Sequence, residues 1–174
     1  MASFMICVLS TTNLAKRVGD GKIRIKMKLR SRKANLKKDG SLLFELYSKC
    51  FNRSFDFRSF TIKEQIEYLK NFVVWIYYDG DEPIGFLTYR FEGNNKAELD
   101  TMAVLPEYQN KGIGKKMMSK FLKMTKGRKL YLVTHPKNTA ALVLYLKHGF
   151  QIYGWKDNYY GDGEPRLLLE RNRL

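Results

Sequence analysis

Cysteine is scarce in this chain. Its two thiols, Cys7 and Cys50, are the whole supply in 174 residues. Their separation matches no metal-ligand spacing and builds no disulfide framework, so no metal site is expected and a reducing, cytoplasmic setting is. Long apolar runs are also missing. None approaches the ~18 residues that a membrane span needs, and no membrane association is expected. The short apolar stretch from Phe4 to Leu9 has no basic region before it and no clear small-residue cleavage site, so it does not read as a signal peptide. Acids are in short supply too: 17 Asp and Glu stand against 32 Lys and Arg, a formal net charge of +15. Such a field attracts polyanions, whether nucleic acid, a ribosome or the phosphates of a cofactor. The densest patch runs from Lys16 to Lys38. Zinc-finger, RNA-recognition and helix-turn-helix cues are absent, which leaves a purely nucleic-acid-binding basic module as the weaker reading.

What is present is a globular composition, 44% hydrophobic and 14% aromatic, of a length that suits one domain. Ile23, Ile25, Met27 and Leu29 alternate with Arg24, Lys26, Lys28 and Arg30, the period of a half-buried strand. A helix is predicted over Ser41 to Phe51. A second opens at Thr61, where Thr61 and Glu64 have the spacing of a capping box. Strands follow at Val73–Tyr78, Ile84–Phe91 and Ala97–Val104, the last stopped by Pro106. A helix from about Gly112 to Lys126, a strand at Lys129–Thr134 and a helix at Asn138–Lys147 come next. Strands at Phe150–Trp155 and Arg166–Glu170 close the chain, with a loop at Asp157–Pro165 between them. This order implies an α/β (α+β) fold with a mixed, mostly antiparallel sheet flanked by helices on both faces. Residues 23–174 form the domain, and 1–22 are an N-terminal extension.

The informative run is Gln109-Asn110-Lys111-Gly112-Ile113-Gly114-Lys115, after a strand that ends at Val104-Leu105-Pro106. Glycines let a backbone approach a ligand closely. The free N–H groups at a helix N-terminus, with the positive end of its dipole, bind phosphate. The spacing fits neither a Walker loop nor a Gly-x-Gly-x-x-Gly dinucleotide fingerprint. It resembles the acetyl-CoA signature of the GNAT acetyltransferase superfamily, Gln/Arg-x-x-Gly-x-Gly/Ala, and Asn138, Ala141, Leu144, Tyr145, Gly149 and Phe150 match a second pattern of that family. The likeness covers nearly the whole chain, from Ile23 to Arg171. It implies that acetyl-CoA is the co-substrate. Main-chain groups of Met102, Ala103 and Val104 would pair with its pantetheine arm, the amides of Asn110 to Lys115 would cradle its pyrophosphate, and Gln109 and Asn138 would complete the site. It also implies that Tyr145 protonates the departing thiolate.

Asn158-Tyr159-Tyr160-Gly161-Asp162-Gly163-Glu164 is similar to the Tyr-Tyr loop of the protein N-terminal acetyltransferases, including those that modify ribosomal proteins. Trp155, Tyr159 and Tyr160 are therefore expected to wall the slot for a peptide or protein N-terminus. The implied reaction is direct attack of a primary amine on acetyl-CoA in a ternary complex. Small amines and aminoacyl-tRNA are the alternative acceptors, and ribosome or RNA association through the basic surface is compatible with either; the chain is expected to act as a monomer or homodimer. One departure concerns the base. The ribosomal branch carries a glutamate five residues before the helix asparagine, where this chain has Val133. Glu98, at the position used by histone-type members, is the substitute candidate, with Asp100 and His135 behind it.

Overall fold

The computed structural model describes residues 27–51 and 61–173. The elements are β1 (Leu29–Lys33), α1 (Leu36–Phe51), α2 (Ile62–Leu69), β2 (Val73–Asp79), β3 (Glu82–Glu92), β4 (Lys96–Val104), a 3-10 turn (Pro106–Tyr108), α3 (Ile113–Met124), β5 (Lys129–Thr134), α4 (Thr139–Lys147), β6 (Gln151–Lys156) and β7 (Arg166–Arg171). The strands form one sheet in the order β1-β2-β3-β4-β5-β7-β6. Every neighbouring pair is antiparallel except β4 and β5, which run parallel.

Two apolar layers cover the sheet, and strand alternation feeds both. In β2, Val74, Ile76 and Tyr78 face α1 and α2, where Leu43, Leu46, Tyr47 and Leu69 bury. Trp75 and Tyr77 face the other layer, with Ile113, Met117, Met118 and Phe121 of α3 and Ala141 and Tyr145 of α4. Residues two apart on a strand share a face, so one apolar strand serves two cores.

The expected capping box is present: Thr61 Oγ1 accepts from the Glu64 amide at 3.3 Å, and Glu64 Oε2 accepts from the Thr61 amide at 2.8 Å. Helix α1 starts five residues before the expected Ser41. Lys37, Lys38 and Asp39 carry no apolar period, yet their turn is helical because the buried Asp39 carboxylate gathers Arg32 at 2.7 and 2.8 Å and the Asn35 amide at 2.7 Å. Of the strand expected over Ile23 to Arg30, only Leu29 and Arg30 fall in β1. Residues 23–26, the extension 1–22, and much of the Lys16–Lys38 patch lie outside the described residues.

The feature that positions the site is an irregularity in β4. Thr88 pairs with Thr101 but Tyr89 pairs with Leu99, so Asp100 is an extra residue in β4. A bulge of this kind bends its strand and increases the twist. It also resets the alternation. Leu99 and Met102, three apart, both join the layer under α3 and α4, whereas Asp100 and Thr101, adjacent in sequence, both border a small cavity beside Tyr47, Tyr68 and Phe86 on the opposite face. Beyond the bulge β4 parts from β5. Their pairing runs from Lys96↔Lys129 to Leu99↔Leu132 and stops. From Thr101 to Val104, β4 pairs among the described residues only with β3, while Val133 and Thr134 pair with β7. The middle of the sheet therefore opens toward the carboxyl ends of its two parallel strands.

Candidate active site

The opening has a defined rim. On the β3 side Gly85 is required by close approach: a Cβ there would meet the Ala103 carbonyl oxygen at 2.3 Å, so any side chain would push β4 outward. Past the end of β4, Gln109 is buried, and its Nε2 donates to the Val104 carbonyl at 2.9 Å. The Gln109 side chain thus ties the loop to the strand end rather than projecting into the opening. The loop then turns twice through the left-handed region, at Asn110 (φ 60°) and Gly112 (φ 77°). At Gly112 the backbone angle, not space, demands glycine, since an added Cβ would meet nothing within 4 Å. Gly112 caps α3 without a side-chain hydrogen bond, so the first-turn amides keep their donors. Lys111 and Lys115 are exposed beside them. An exposed helix N-terminus with flanking lysines suits a pyrophosphate.

Across the opening, α4 starts at Asn138, which is 6% exposed. One helical face carries Ala141 and Tyr145 into the layer that holds Met102, Val104 and Ile113. Tyr145 is completely buried and its ring meets Phe150 edge-on at 5.9 Å. Its hydroxyl has no hydrogen-bond partner among the described residues. Burial raises its pKa well above the usual phenol value, so the group holds its proton at neutral pH. A buried O–H without an acceptor costs about 1–3 kcal/mol, a cost that an arriving acceptor would relieve.

A pocket of about 320 Å³ lies on the α1/α2 side of the β4–β5 junction, lined by Arg90, Glu92, Lys96, Glu98, Tyr131, Leu132, Val133, Tyr153 and Tyr159. Val133 faces it, so the position of the usual glutamate carries no proton acceptor. Glu98 faces it as well, but Arg90 Nε donates to Glu98 Oε2 at 2.7 Å, and the same guanidinium reaches Glu92 at 3.3 Å. Asp100 is held elsewhere: its carboxylate accepts from Tyr68 Oη at 2.6 Å, Thr88 Oγ1 at 2.7 Å and Thr101 Oγ1 at 3.0 Å. His135 is buried at the end of β5. The Lys137 amide donates to its Nδ1 at 3.0 Å, which places the ring proton on Nε2, 3.0 Å from Glu164 Oε2.

That contact anchors the β6–β7 loop. Arg166, fully buried, ion-pairs with Asp162 and lies 4.9 Å from the Tyr160 ring centroid. Tyr160 in turn packs edge-on against Tyr159 at 4.7 Å. Tyr159 lines the pocket, and Tyr160 supports it from behind. Trp155 is 55% exposed on the edge strand, its Nε1 bonded to Asp157 at 2.9 Å, and does not line the pocket. Tyr153 and Tyr131 do. Sequence reasoning missed both, along with Arg90 and the anchors Arg166 and Glu164. Tyr131 was within reach, because it shares a β5 face with Val133 by alternation. Tyr153 was not, because a bulge between Ile152 and Gly154 resets β6.

The His135 contact holds the Glu164 carboxyl below the usual glutamate range, with Lys137 adding to the effect. A depressed folded pKa stabilises the fold above the unfolded value of ~4.3 and loses that contribution as pH falls through the folded value. Glu164→Gln is thus expected to lower the thermal midpoint at pH 7. The gap from wild type should close as pH drops below about 4. A gap independent of pH would show that the carboxylate charge plays no part.

The matches to known proteins agree with this geometry. Residues 41–150 match the model of the Acetyltransferase (GNAT) family. The chain belongs to that family. Among its relatives is the N-alpha-acetyltransferase RimI of Mycobacterium tuberculosis, 40% identical over 63 residues, 36% of this chain and 40% of that protein. This chain thus matches less than half the length of that relative. Another is the spermine/spermidine N(1)-acetyltransferase of Bacillus subtilis, 34% identical over 108 residues, 56% of this chain and 68% of that protein. Among solved structures, a GNAT family acetyltransferase from Elizabethkingia anophelis with acetyl-CoA bound superposes with a TM-score of 0.68 at 19% identity, covering 83% of this chain and 97% of that one. At that identity the likeness concerns the fold.

Proposed function

We propose that this acetyltransferase moves the acetyl group of acetyl-CoA to a primary amine, preferentially the α-amine of a protein or peptide, by direct attack in a ternary complex. The observation that carries the proposal is the opening between β4 and β5, with the glycine loop at its end and the unpartnered Tyr145 hydroxyl in the adjoining layer. Main-chain groups of Met102 to Val104 on the β5 side have no strand partner among the described residues and suit the amides of a pantetheine arm. The loop amides from Asn110 to Lys115 suit the pyrophosphate, and Asn138 sits at the opposite lip. A neutral amine attacks the thioester carbon and forms a tetrahedral oxyanion, which a β4 amide stabilises. Collapse breaks the C–S bond. The sulfur takes a hydrogen bond, and finally a proton, from Tyr145, and the amine proton leaves to a base.

The polar pocket supports a peptide over a polyamine. A polyamine needs carboxylates without cations of their own, and both pocket acids here contact Arg90. The likeness to the Bacillus enzyme keeps the polyamine as the second reading. An acceptor panel separates the two: a peptide with a free N-terminus, the same peptide N-blocked with an internal lysine, spermidine, and aminoacyl-tRNA, each with acetyl-CoA and read by mass spectrometry. Preferential modification of the free peptide supports the proposal. Preferential modification of spermidine favours the second reading.

Deprotonation follows from the same geometry. A peptide α-amine has a pKa of ~8 and is partly neutral at pH 7, unlike a lysine at ~10.4. Both Arg90 contacts fall on Glu98 Oε2, so a water would reach the carboxylate from its Oε1 side. Glu98→Gln is expected to lower kcat/KM at pH 7 by about tenfold, because an α-amine of pKa ~8 is already roughly one-tenth neutral there, with recovery at alkaline pH. Superimposable pH profiles would assign the proton to solvent.

A further inference from the structure

From Tyr108 to Lys156 the chain contains no Asp or Glu, while it contains ten lysines and Arg128. This stretch includes α3 and α4, so both helices on one side of the sheet are free of acids. The charge concentrates on α3. At 3.6 residues per turn, Lys115, Lys116, Lys120 and Lys123 fall within an arc of about 140°, opposite the buried Ile113, Met117 and Phe121. Lys120 packs over the Trp75 ring at 3.3 Å. Lys115, Lys116, Lys123 and, just past the helix, Lys126 are exposed and make no ion pair among the described residues.

The far end of this row carries an aromatic. Phe91 at the end of β3 is 44% exposed, and the Arg128 guanidinium lies 4.5 Å from its ring centroid. Tyr89 meets the same ring edge-on at 5.5 Å and holds it in place. Arg128 Nε is buried without a hydrogen-bond partner among the described residues. The row runs about 18 Å along α3, from the glycine loop to this stacked pair.

We infer that the outer face of α3, from Lys116 to Arg128 with Phe91, is a binding track for single-stranded nucleic acid, distinct from the acetyl-transfer site. Lysines spaced along a helix neutralise successive phosphates, and an exposed ring backed by a guanidinium stacks a base. A membrane fits less well. A helix that lies in a bilayer surface turns its apolar face outward, and the apolar face of α3 is in the core.

The test measures binding of fluorescent oligouridylate to the full chain over a salt series. Wild type should bind with a salt-dependent affinity. Lys123→Gln with Lys126→Gln should reduce the slope of log K against log salt by about 1.4, since each contact in a single-strand complex contributes ~0.7. Phe91→Ala should weaken binding about tenfold at fixed salt, within the range for loss of one stacked base. Acetyl-CoA turnover on the acceptor peptide should be unchanged in both variants, and saturating acetyl-CoA should leave RNA bound. Three results would overturn the inference: full displacement of RNA by acetyl-CoA, which would place the RNA in the cofactor loop; unchanged slope and affinity in the variants; or preferential binding to anionic phosphatidylserine vesicles or an acidic peptide through the same lysines.

Discussion

Gly112→Glu is expected to weaken acetyl-CoA binding by roughly 100- to 1,000-fold while the fold persists. Two effects act together. A non-glycine residue at φ 77° carries strain on the order of 1–3 kcal/mol. A carboxylate ~4 Å from a phosphate at a partly exposed site is opposed by about 4 kcal/mol at an effective dielectric near 20. An added Cβ meets no atom within 4 Å, so the apo protein should tolerate the change. Gly112→Ala separates the effects, because it retains the strain without the charge and should lose far less affinity. Titration calorimetry of both variants decides. Unchanged affinity in Gly112→Glu would remove the loop from the cofactor site.

Tyr145→Phe is expected to lower kcat by about 100-fold, the low end of the range for general acid–base groups, because a thiolate is a fairly good leaving group. Acetyl-CoA affinity should change little, since the hydroxyl acts mainly in the transition state. The same variant should be as stable as wild type or slightly more so. It keeps the Phe150 contact and deletes a buried hydroxyl that has no partner among the described residues. Lower turnover with undiminished stability distinguishes a catalytic hydroxyl from a packing residue. If the ring served packing alone, the rates would agree. Burial raises the phenol's pKa, so the hydroxyl keeps its proton at neutral pH, the form that the proposed transfer to the departing sulfur requires.

Much of this site was legible in the residues, for physical reasons that can be named. The glycine loop announced itself because a left-handed backbone and a helix N-terminus leave a mark in residue type. The capping box at Thr61 and Glu64 was legible because both partners lie within one turn. The start of α1 was not, because it depends on Arg32 reaching Asp39 from β1, a contact with no local periodicity. The bulge at Asp100 was also hidden. Simple alternation puts Glu98 and Asp100 on one face, as found, but it also expects Thr101 on the other, and the extra residue overrides it. The polar pocket was legible only in part. Tyr159 lines the pocket, whereas Trp155 stands on the outer strand and Tyr153 and Tyr131 line the pocket with Tyr159. Tertiary anchors such as Arg166 and Glu164 leave no motif, since each is defined by a partner on another turn or strand.

The cofactor assignment rests on the opening in the sheet, and amide hydrogen exchange measured with and without acetyl-CoA tests it most directly. In the free protein the β4 amides that face β5 beyond Leu99, and those of the loop from Asn110 to Lys115, have no strand or helix acceptor among the described residues. Saturating acetyl-CoA is expected to slow exchange in two peptides, one covering Met102–Val104 and one covering Asn110–Lys115, with β1 and β2 unchanged. Acetyl-CoA that binds without protecting either segment, or that protects the sheet edge at β6 instead, would contradict the assignment.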